Sequence, residues 1–339
     1  MATPETTCFT GMRFAALARS LGSETRAKHA LKWLYQDGLP AQLPPRVPGV
    51  AHREWTRFRA EHPLPAWKLL AERRAEDGTT KLALQLDAAV VETVLIPGPQ
   101  RSTVCISSQA GCTRKCAFCA TAKLGFTRNL TAAEIITQYV IAQRLAPAGR
   151  PARNVVFMGM GEPLDNLDHV LEAVELLTQT PYPNLSPAHV TVSTAGVVPQ
   201  MRRFLRESKA SLALSLNATT DAVREQVMPH NALWPIGKLM ETLRTHAADR
   251  QTFVEYVLFE GLNDSAEDAS RLGQLLEGIP ARINVIPFNG NAGSSFRAPS
   301  VEQTVAFQQA VARSGIRTLV RWPKGREIDA ACGQLANKV

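Results

Sequence analysis

From Thr103 onward the apolar positions come in short, often β-branched runs, each followed by a polar turn and then by a stretch with helical spacing. The runs predict strands at Thr103–Ile106, Asn154–Met158, His189–Ser193, Leu212–Leu216, Thr252–Leu258 and Ile283–Ile286, with Arg317–Val320 as a seventh. Between them the spacing predicts helices at Ala132–Ala146, Leu167–Thr178, Val198–Glu207, Thr220–Gln226 and Ser265–Leu276. Strand and helix in alternation imply a parallel sheet with right-handed crossovers. A closed barrel of eight such units takes about 250 residues. Some six units are present, which implies an α/β fold that stays open, a partial (βα)6 barrel. Small polar residues gather just after the strands, at Gly159–Asn166, Ser193–Gly196, Ser215–Thr219 and Asn289–Ser295. Those are the C-terminal strand ends, where barrel chemistry collects.

The first 90 residues follow a different pattern. Helices are expected near Phe14–Leu21, from Glu24 to Tyr35 with Ala27, Ala30, Leu31 and Leu34 on one face, and around Glu54–Ala60. A proline-rich stretch, Pro40 to Pro48, separates the last two. Lys81–Ile96 reads as two strands joined through Asp87. Two regions result: 1–90, a small helical domain with a short β extension, and 91–339, the barrel with its C-terminal segment. Internal repeats and low-complexity tracts are absent from the sequence.

Composition adds constraints. A chain 45% hydrophobic and 20% charged is ordinary for a folded protein. The sequence has no apolar run of roughly 18 residues, so no membrane span is expected. The N-terminal residues lack the regions of a secretory signal, and a cytoplasmic location is expected. Lys plus Arg is 38 against 30 Asp plus Glu, a net charge of +8 that suggests a polyanionic partner. The segment Arg313–Arg326 holds Arg313, Arg317, Arg321, Lys324 and Arg326 with no acid among them. In the N-terminal region Arg26, Lys28 and Lys32 accompany Trp33 and Tyr35.

The candidate chemistry lies in the cysteines. Three of the six, Cys112, Cys116 and Cys119, fall within eight residues as CxxxCxxC on the loop after the first barrel strand. That crowding suits metal binding or redox chemistry better than a disulfide framework. Three thiolates can hold three irons of a [4Fe–4S] cluster and leave the fourth open. S-adenosylmethionine can chelate such an iron and accept an electron from it. A structural zinc site is the rival reading; it needs a fourth ligand, and the usual second CxxC or HxxxH pair is missing, although a free histidine could complete it.

Several separated strings then resemble the RlmN/Cfr family of radical-SAM RNA adenine methyltransferases. They are VETVLIP (91–97), CISSQAGCTRKCAFCATAKLGFTRNLT (105–131), VVFMGMGEPLDNLD (155–168), VTVSTAGVVP (190–199), LALSLNATTD (212–221) and DAACGQL (329–335). The resemblance runs from about Asp77 to the C-terminus. It implies a partial radical-SAM barrel with one [4Fe–4S] cluster on Cys112, Cys116 and Cys119. It places S-adenosylmethionine against Gly161 and Glu162, with Glu162 facing the amino group, and against Ser193, Ser215, Leu216, Asn217 and Asn289. It makes Cys332 the methyl-carrying cysteine, Cys105 its partner and Glu92 the proton acceptor. Cys8 matches no family position.

Adenine C2 and C8 are electron-poor carbons with no lone pair to attack a methyl group, and the resemblance implies a route with two molecules of S-adenosylmethionine per turnover. The Cys332 thiolate takes a methyl group from the first. A 5′-deoxyadenosyl radical from the second removes hydrogen from it, the resulting S–CH2 radical adds to the adenine carbon, and Cys105 attacks Cys332 to release the product through a disulfide. The implied substrate is adenosine in the peptidyl-transferase centre of 23S rRNA, with the adenosine 3′ to the tRNA anticodon as a second; C8 methylation of the antibiotic-resistance type is the alternative. A target of this kind must be unstacked to be reached. A one-electron reductant such as flavodoxin and a monomeric state are further expectations. Three features depart from the family pattern: Asn217 stands where His is common, the segment GNAGSSFRAPS after Asn289 lacks its usual prolines, and Ser23–Ala27 diverges.

Overall fold

The computed structural model describes residues 8–37, 44–291 and 293–336. Part of the proline-rich stretch, 38–43, lies outside them. Three helices open the chain: α1 (Phe14–Ser20), α2 (Glu24–Lys32) and α3 (His52–Glu61). Three antiparallel strands follow, β1 (Trp67–Arg74), β2 (Thr80–Leu86) and β3 (Ala89–Pro97). The barrel then begins with β4 (Ser102–Cys105) and a side hairpin of β5 (Gln109–Gly111) and β6 (Phe126–Asn129), which frames the cysteine loop.

The remaining elements alternate: α4 (Ala132–Gln143), β7 (Ala152–Phe157), α5 (Leu167–Thr178), β8 (Val190–Thr194), α6 (Val198–Glu207) and β9 (Ser211–Ser215). After them come α7 (Asp221–Val227), α8 (Ile236–His246), β10 (Thr252–Leu258), α9 (Ala266–Leu275), β11 (Ala281–Pro287), α10 (Val301–Ala312) and β12 (Thr318–Val320). Ten strands form one sheet in the order β1-β2-β3-β4-β7-β8-β9-β10-β11-β12. From β4 to β12 every pairing is parallel, which gives the open barrel, while β3 joins β4 antiparallel.

Helix starts follow local chemistry. Thr131 and Glu134 form a capping box on α4, Ser300 and Gln303 another on α10, and the Ser265 side chain caps α9. The strand β1, the hairpin β5–β6 and the helices α8 and α10 are not among the elements the sequence pattern predicts. Nor does a boundary at 90/91 separate two bodies. It cuts β3, and the apolar cluster containing Phe9, Leu31 and Trp55 continues into Ile135, Tyr139 and the barrel strands. Thr10 donates to the Ala133 carbonyl at 3.2 Å and the Phe14 amide to Gln179 Oε1 at 2.8 Å, so the helical unit is bonded to α4 and α5.

Candidate active site

Buried amides fix the floor of the site. Gln138 Oε1 accepts the Ser107 amide at 2.8 Å and its Nε2 donates to the Ser107 carbonyl at 2.9 Å. Asn166 Nδ2 donates to the carbonyls of Ser108 and Leu130, both at 2.8 Å. These bonds pin segment 106–111, from which the cysteine loop springs. The glycines of Gly159-Met-Gly161 serve the same packing. A Cβ on Gly161 (φ +103°) would sit 2.6 Å from Gln109 Cβ, and one on Gly159 would sit 2.7 Å from the Ile106 carbonyl carbon. Their close approach is therefore to the protein's own 106–109 backbone, rather than only to a ligand.

Above this floor a cavity of about 160 Å³ is lined by Cys112, Cys116 and Cys119, by Gly161, Glu162, Ser193, Ser215, Asn217 and Asn289, and by Cys332. Elements far apart in sequence bring these residues together at the C-terminal strand ends. A larger cavity of about 590 Å³ runs through the barrel interior and shares Met158, Glu255, Ile286, Asn289, Cys332 and Leu335 with the first. Cys105, on β4, faces the larger one. Cys332 thus stands on the wall between the two spaces, with Cys105 beside it.

The cysteine loop suits a cluster. The Arg114 amide points at Cys112 Sγ, 3.3 Å away, and the Ala117 amide is tied to the Val227 carbonyl at 2.9 Å. Arg114 is held by Asp165, which also accepts from Thr113. Burial pushes the Cys112 thiol up to about 12 and the Cys116 thiol well above its ordinary value, with neighbouring thiols and Glu162 adding to the rise. Thiolates here therefore need a strong positive charge, which iron supplies. Among the described residues no three His, Cys, Asp or Glu side chains converge on one point. The donor set is three cysteines around an open space, the arrangement that leaves one iron of a [4Fe–4S] cluster free.

The residues opposite fit S-adenosylmethionine. Glu162, 3% exposed, accepts the amides of Leu164 (3.0 Å) and Ala195 (2.8 Å), one on each carboxyl oxygen. Burial raises its pKa, and those bonds oppose the rise. Asn289 donates Nδ2 to the Cys332 carbonyl at 3.2 Å, while its buried Oδ1 has no partner among the described residues. An unpartnered buried acceptor on a cavity wall is one a ligand's donor can satisfy. Ser193 and Ser215 hydroxyls lie 3.4 Å apart on the same wall. Asn217, at φ +59°, adopts the left-handed region that Asn and His both tolerate. Its Oδ1 accepts the Val257 amide at 2.8 Å, so here the side chain ties β9 to β10.

Two expected residues stand apart from the cavity. Leu216 is fully buried; its amide donates to the Glu255 carbonyl (3.0 Å) and its carbonyl accepts Arg224 Nε (2.9 Å), leaving no free backbone group. Glu92 is fully buried 3.2 Å from Lys81 Nζ and accepts the Ala336 amide at 2.8 Å. It lines neither cavity and holds the C-terminal segment instead. That segment is further fixed by Lys81 Nζ on the Asp329 carbonyl (3.1 Å), by the Ala120 amide on Gly333 (2.7 Å), by Thr121 on Leu335 (2.7 Å) and by Gln334 on Gly290 (2.9 Å).

One residue escaped the sequence reading. Glu255, in the middle of β10, is 6% exposed and lines both cavities. It accepts Asn284 Nδ2 at 2.8 Å, and Asn284 in turn accepts Arg321 Nε at 2.9 Å. Burial pushes the carboxyl up to about 7. Cys332 is exposed as a residue, but desolvation of its sulfur at the cavity wall pushes the thiol up to about 11, with Glu255 and Cys119 adding to it. A lone carboxylate inside an otherwise apolar run, TFVEYVL, is the signal that was available. Arg321, although exposed, is thereby bonded at Nε to the Glu255–Asn284 pair. Within that run Lys324 lies 3.8 Å from Asp77. In the helical unit Arg26 pairs with Glu54 at 3.2 Å and Tyr35 is buried.

An open parallel barrel with three loop cysteines beside a cavity at the C-terminal strand ends defines the radical SAM class, and the model of the radical SAM superfamily matches residues 106–272. A crystal structure of a radical SAM methyltransferase from Sphaerobacter thermophilus superposes with TM-score 0.90 at 35% identity, covering 98% of this chain and all of that one. The dual-specificity RNA methyltransferase RlmN of Anaeromyxobacter sp. is 42% identical over 96% of this chain and 88% of its own length. That of Marinobacter nauticus is 40% identical over 96% and 91%. A probable RNA methyltransferase of Sorangium cellulosum is 46% identical over 81% and 70%. The chain belongs to the RlmN family of radical SAM methyltransferases. Its resident cofactors are a [4Fe–4S] cluster and S-adenosylmethionine. Among the described residues no helix is long and apolar enough to cross a membrane.

Proposed function

We propose that this chain methylates C2 of adenosine in RNA, at the peptidyl-transferase centre of 23S rRNA and, as a second substrate, at the adenosine 3′ to the tRNA anticodon. The relatives' names as dual-specificity RNA methyltransferases support the RNA substrate. The observation that carries the reading is the position of Cys332 between two joined cavities, with Cys105 on the wall of the larger. The residues lining one cavity suit the cofactors, and the other, at about 590 Å³, has the volume for a flipped base.

When bound, the cluster and S-adenosylmethionine supply a one-electron reduction that yields a 5′-deoxyadenosyl radical. Cys332 is the methyl carrier. Its sulfur attacks the methyl carbon of a first S-adenosylmethionine, the methyl–sulfonium bond breaks, and S-adenosylhomocysteine leaves. Before that attack the thiol must lose its proton, and the Glu255 carboxylate faces the same cavities to receive it. Asn289, bonded to the Cys332 carbonyl, holds this carrier against the cofactor side. Once the methylene group is joined to the base and the adduct has returned one electron and lost its C2 proton, the Cys105 thiolate attacks the Cys332 sulfur. The carbon–sulfur bond breaks, its electron pair takes up a proton to leave a methyl group on the base, and a Cys105–Cys332 disulfide forms. Both cysteines are free thiols in this structure. Glu92, through its bond to Ala336, orients the segment that bears Cys332.

The test is anaerobic reconstitution with iron and sulfide, then mass spectrometry of nucleosides from 23S rRNA and tRNA incubated with S-adenosylmethionine and a reductant. 2-Methyladenosine is expected, lost in Cys332→Ala and replaced by a protein–RNA adduct in Cys105→Ala. 8-Methyladenosine moves the chain to the resistance-type reaction. Full turnover by Cys332→Ala overturns the mechanism.

A further inference from the structure

The large cavity reaches from Cys332 to Ala188 and His189 at the N-terminal ends of the strands, and the surface there carries an unusual charge arrangement. Three neighbouring strands, β4, β7 and β8, begin there with a basic residue each: Arg101 just before β4, Arg153 as the second residue of β7, and His189 just before β8. The three line a shared recess that contains no Asp or Glu, and His189 also lines the large cavity.

These cations are not neutralised as many others in the chain are. Arg13, Arg26, Arg114, Arg128, Arg203, Arg271 and Arg297 each have a carboxylate partner. Arg101 instead donates to His189 Nε2 at 3.0 Å, and Arg153 donates to the carbonyls of Pro183 (3.4 Å) and Asn184 (3.2 Å). Because a guanidinium can only donate, His189 Nε2 is the acceptor and its proton sits on Nδ1. Burial and the two guanidinium charges together lower the His189 pKa, consistent with a neutral ring. Both arginines remain exposed on the outward side. Two positive forks and an N–H donor around one recess are the donor set for an oxyanion with several acceptor oxygens.

We infer that Arg101, Arg153 and His189 form a phosphate site for the RNA strand at the mouth of the large cavity, so that the target nucleotide enters past the N-terminal ends of β4, β7 and β8. The inference rests on the RNA reading above and adds the place and polarity of entry. Arg101 precedes Cys105 by four residues of β4, about 13 Å at the rise of a strand. An unstacked nucleotide, phosphate at one end and base at the other, bridges that span together with the reach of an arginine side chain. The phosphate then fixes register without reading sequence, while the base passes inward toward Cys105 and Cys332.

The test is fluorescence anisotropy of the cluster-loaded protein with a fluorescein-labelled RNA stem-loop bearing an unpaired adenosine, across a series of salt concentrations. The double variant Arg101→Gln/Arg153→Gln should flatten the slope of log affinity against log salt by ~0.7, the value for one phosphate. Extrapolated from 1 M, that slope lowers affinity about fourfold at 0.15 M salt. Arg101→Lys/Arg153→Lys should retain most of the slope, and Arg244→Gln, on the outer face of α8, all of it. Reductive cleavage of S-adenosylmethionine without RNA should be unchanged in every variant, which shows an intact fold. If wild type binds with a salt-dependent slope and the double glutamine variant keeps that slope and affinity, the phosphate site is overturned and the RNA reading stands. If wild type shows no salt-dependent RNA binding, the RNA reading itself falls.

Discussion

Replacing Glu255 with glutamine should leave stability unchanged at acid pH and raise it at alkaline pH. Glu255 is buried, and its carboxyl is pushed from an ordinary 4.5 up to about 7. A carboxyl raised in this way holds its proton in the folded protein over a range where the unfolded chain has lost it. Its contribution is complete below 4.5 and is lost as pH rises through about 7, because folding must then either bury a charge or take up a proton at a penalty. A tenfold change in a proton's affinity is worth about 1.36 kcal/mol. The rise from 4.5 to about 7 therefore amounts to about 3 kcal/mol, lost by about pH 8.5. Glutamine keeps the acceptor for Asn284 Nδ2 and does not titrate. The measurement is urea unfolding of wild type and Glu255→Gln under anaerobic reducing conditions at half-unit steps of pH. Taking the difference at each pH removes the contributions of Glu162 and His230, whose pKa values are also displaced but which both proteins share. A difference that grows by about 3 kcal/mol toward alkaline pH is expected. A flat difference refutes the argument, since it means the carboxyl is not raised by its surroundings.

Three other outcomes follow from the site. Gly161→Ala should lower unfolding free energy by at least about 2 kcal/mol and weaken S-adenosylmethionine binding in equilibrium dialysis, because its Cβ meets Gln109. Gly237→Ala, with open space around it in α8, should change stability by less than about 1 kcal/mol; equal effects at the two positions would contradict the packing reading. Lys81→Met leaves the buried Glu92 without its cation and should cost about 3 kcal/mol, with faster proteolysis after Lys324 and Arg326 as the C-terminal segment loosens. Wild-type resistance in that variant would show that the pair does not anchor the segment. Cys119→Ala should abolish the visible iron–sulfur absorption and 5′-deoxyadenosine formation, while urea unfolding of the cluster-free protein shifts little.

The barrel was readable because its strands are buried on both sides. Runs such as Leu212–Leu216 and Ile283–Ile286 have no polar alternation to confuse them with surface strands. β1 escaped for the opposite reason. Its sequence WKLLAERR lies at the sheet edge and is mostly exposed, so no apolar run marks it. α10, VEQTVAFQQAVA, buries only Thr304, Phe307 and Val311 fully, and its stripe is too weak to announce a helix. At the site, the residues of the cofactor cavity were legible as motifs, since each motif sits at a strand end. The environment of Glu255 was not. Its partners Asn284 and Arg321 come from β11 and the residue just beyond β12, and only the parallel pairing of those strands brings the three together. Leu216 likewise carried no sign that both its backbone groups would be engaged within the protein.

The bonds from Lys81 and Glu92 to the C-terminal segment join residues 248 and 244 positions apart. Such contacts close very long loops, and they form late in folding. During synthesis the strands that receive the segment and the three cluster cysteines emerge well before Cys332 does. Ala120, Thr121 and Asn289, which line or flank the cysteine loop and cavity, acquire their partners in residues 332–335 only once that segment docks. Cys332 therefore reaches the wall it shares with both cavities only when that long-range segment docks.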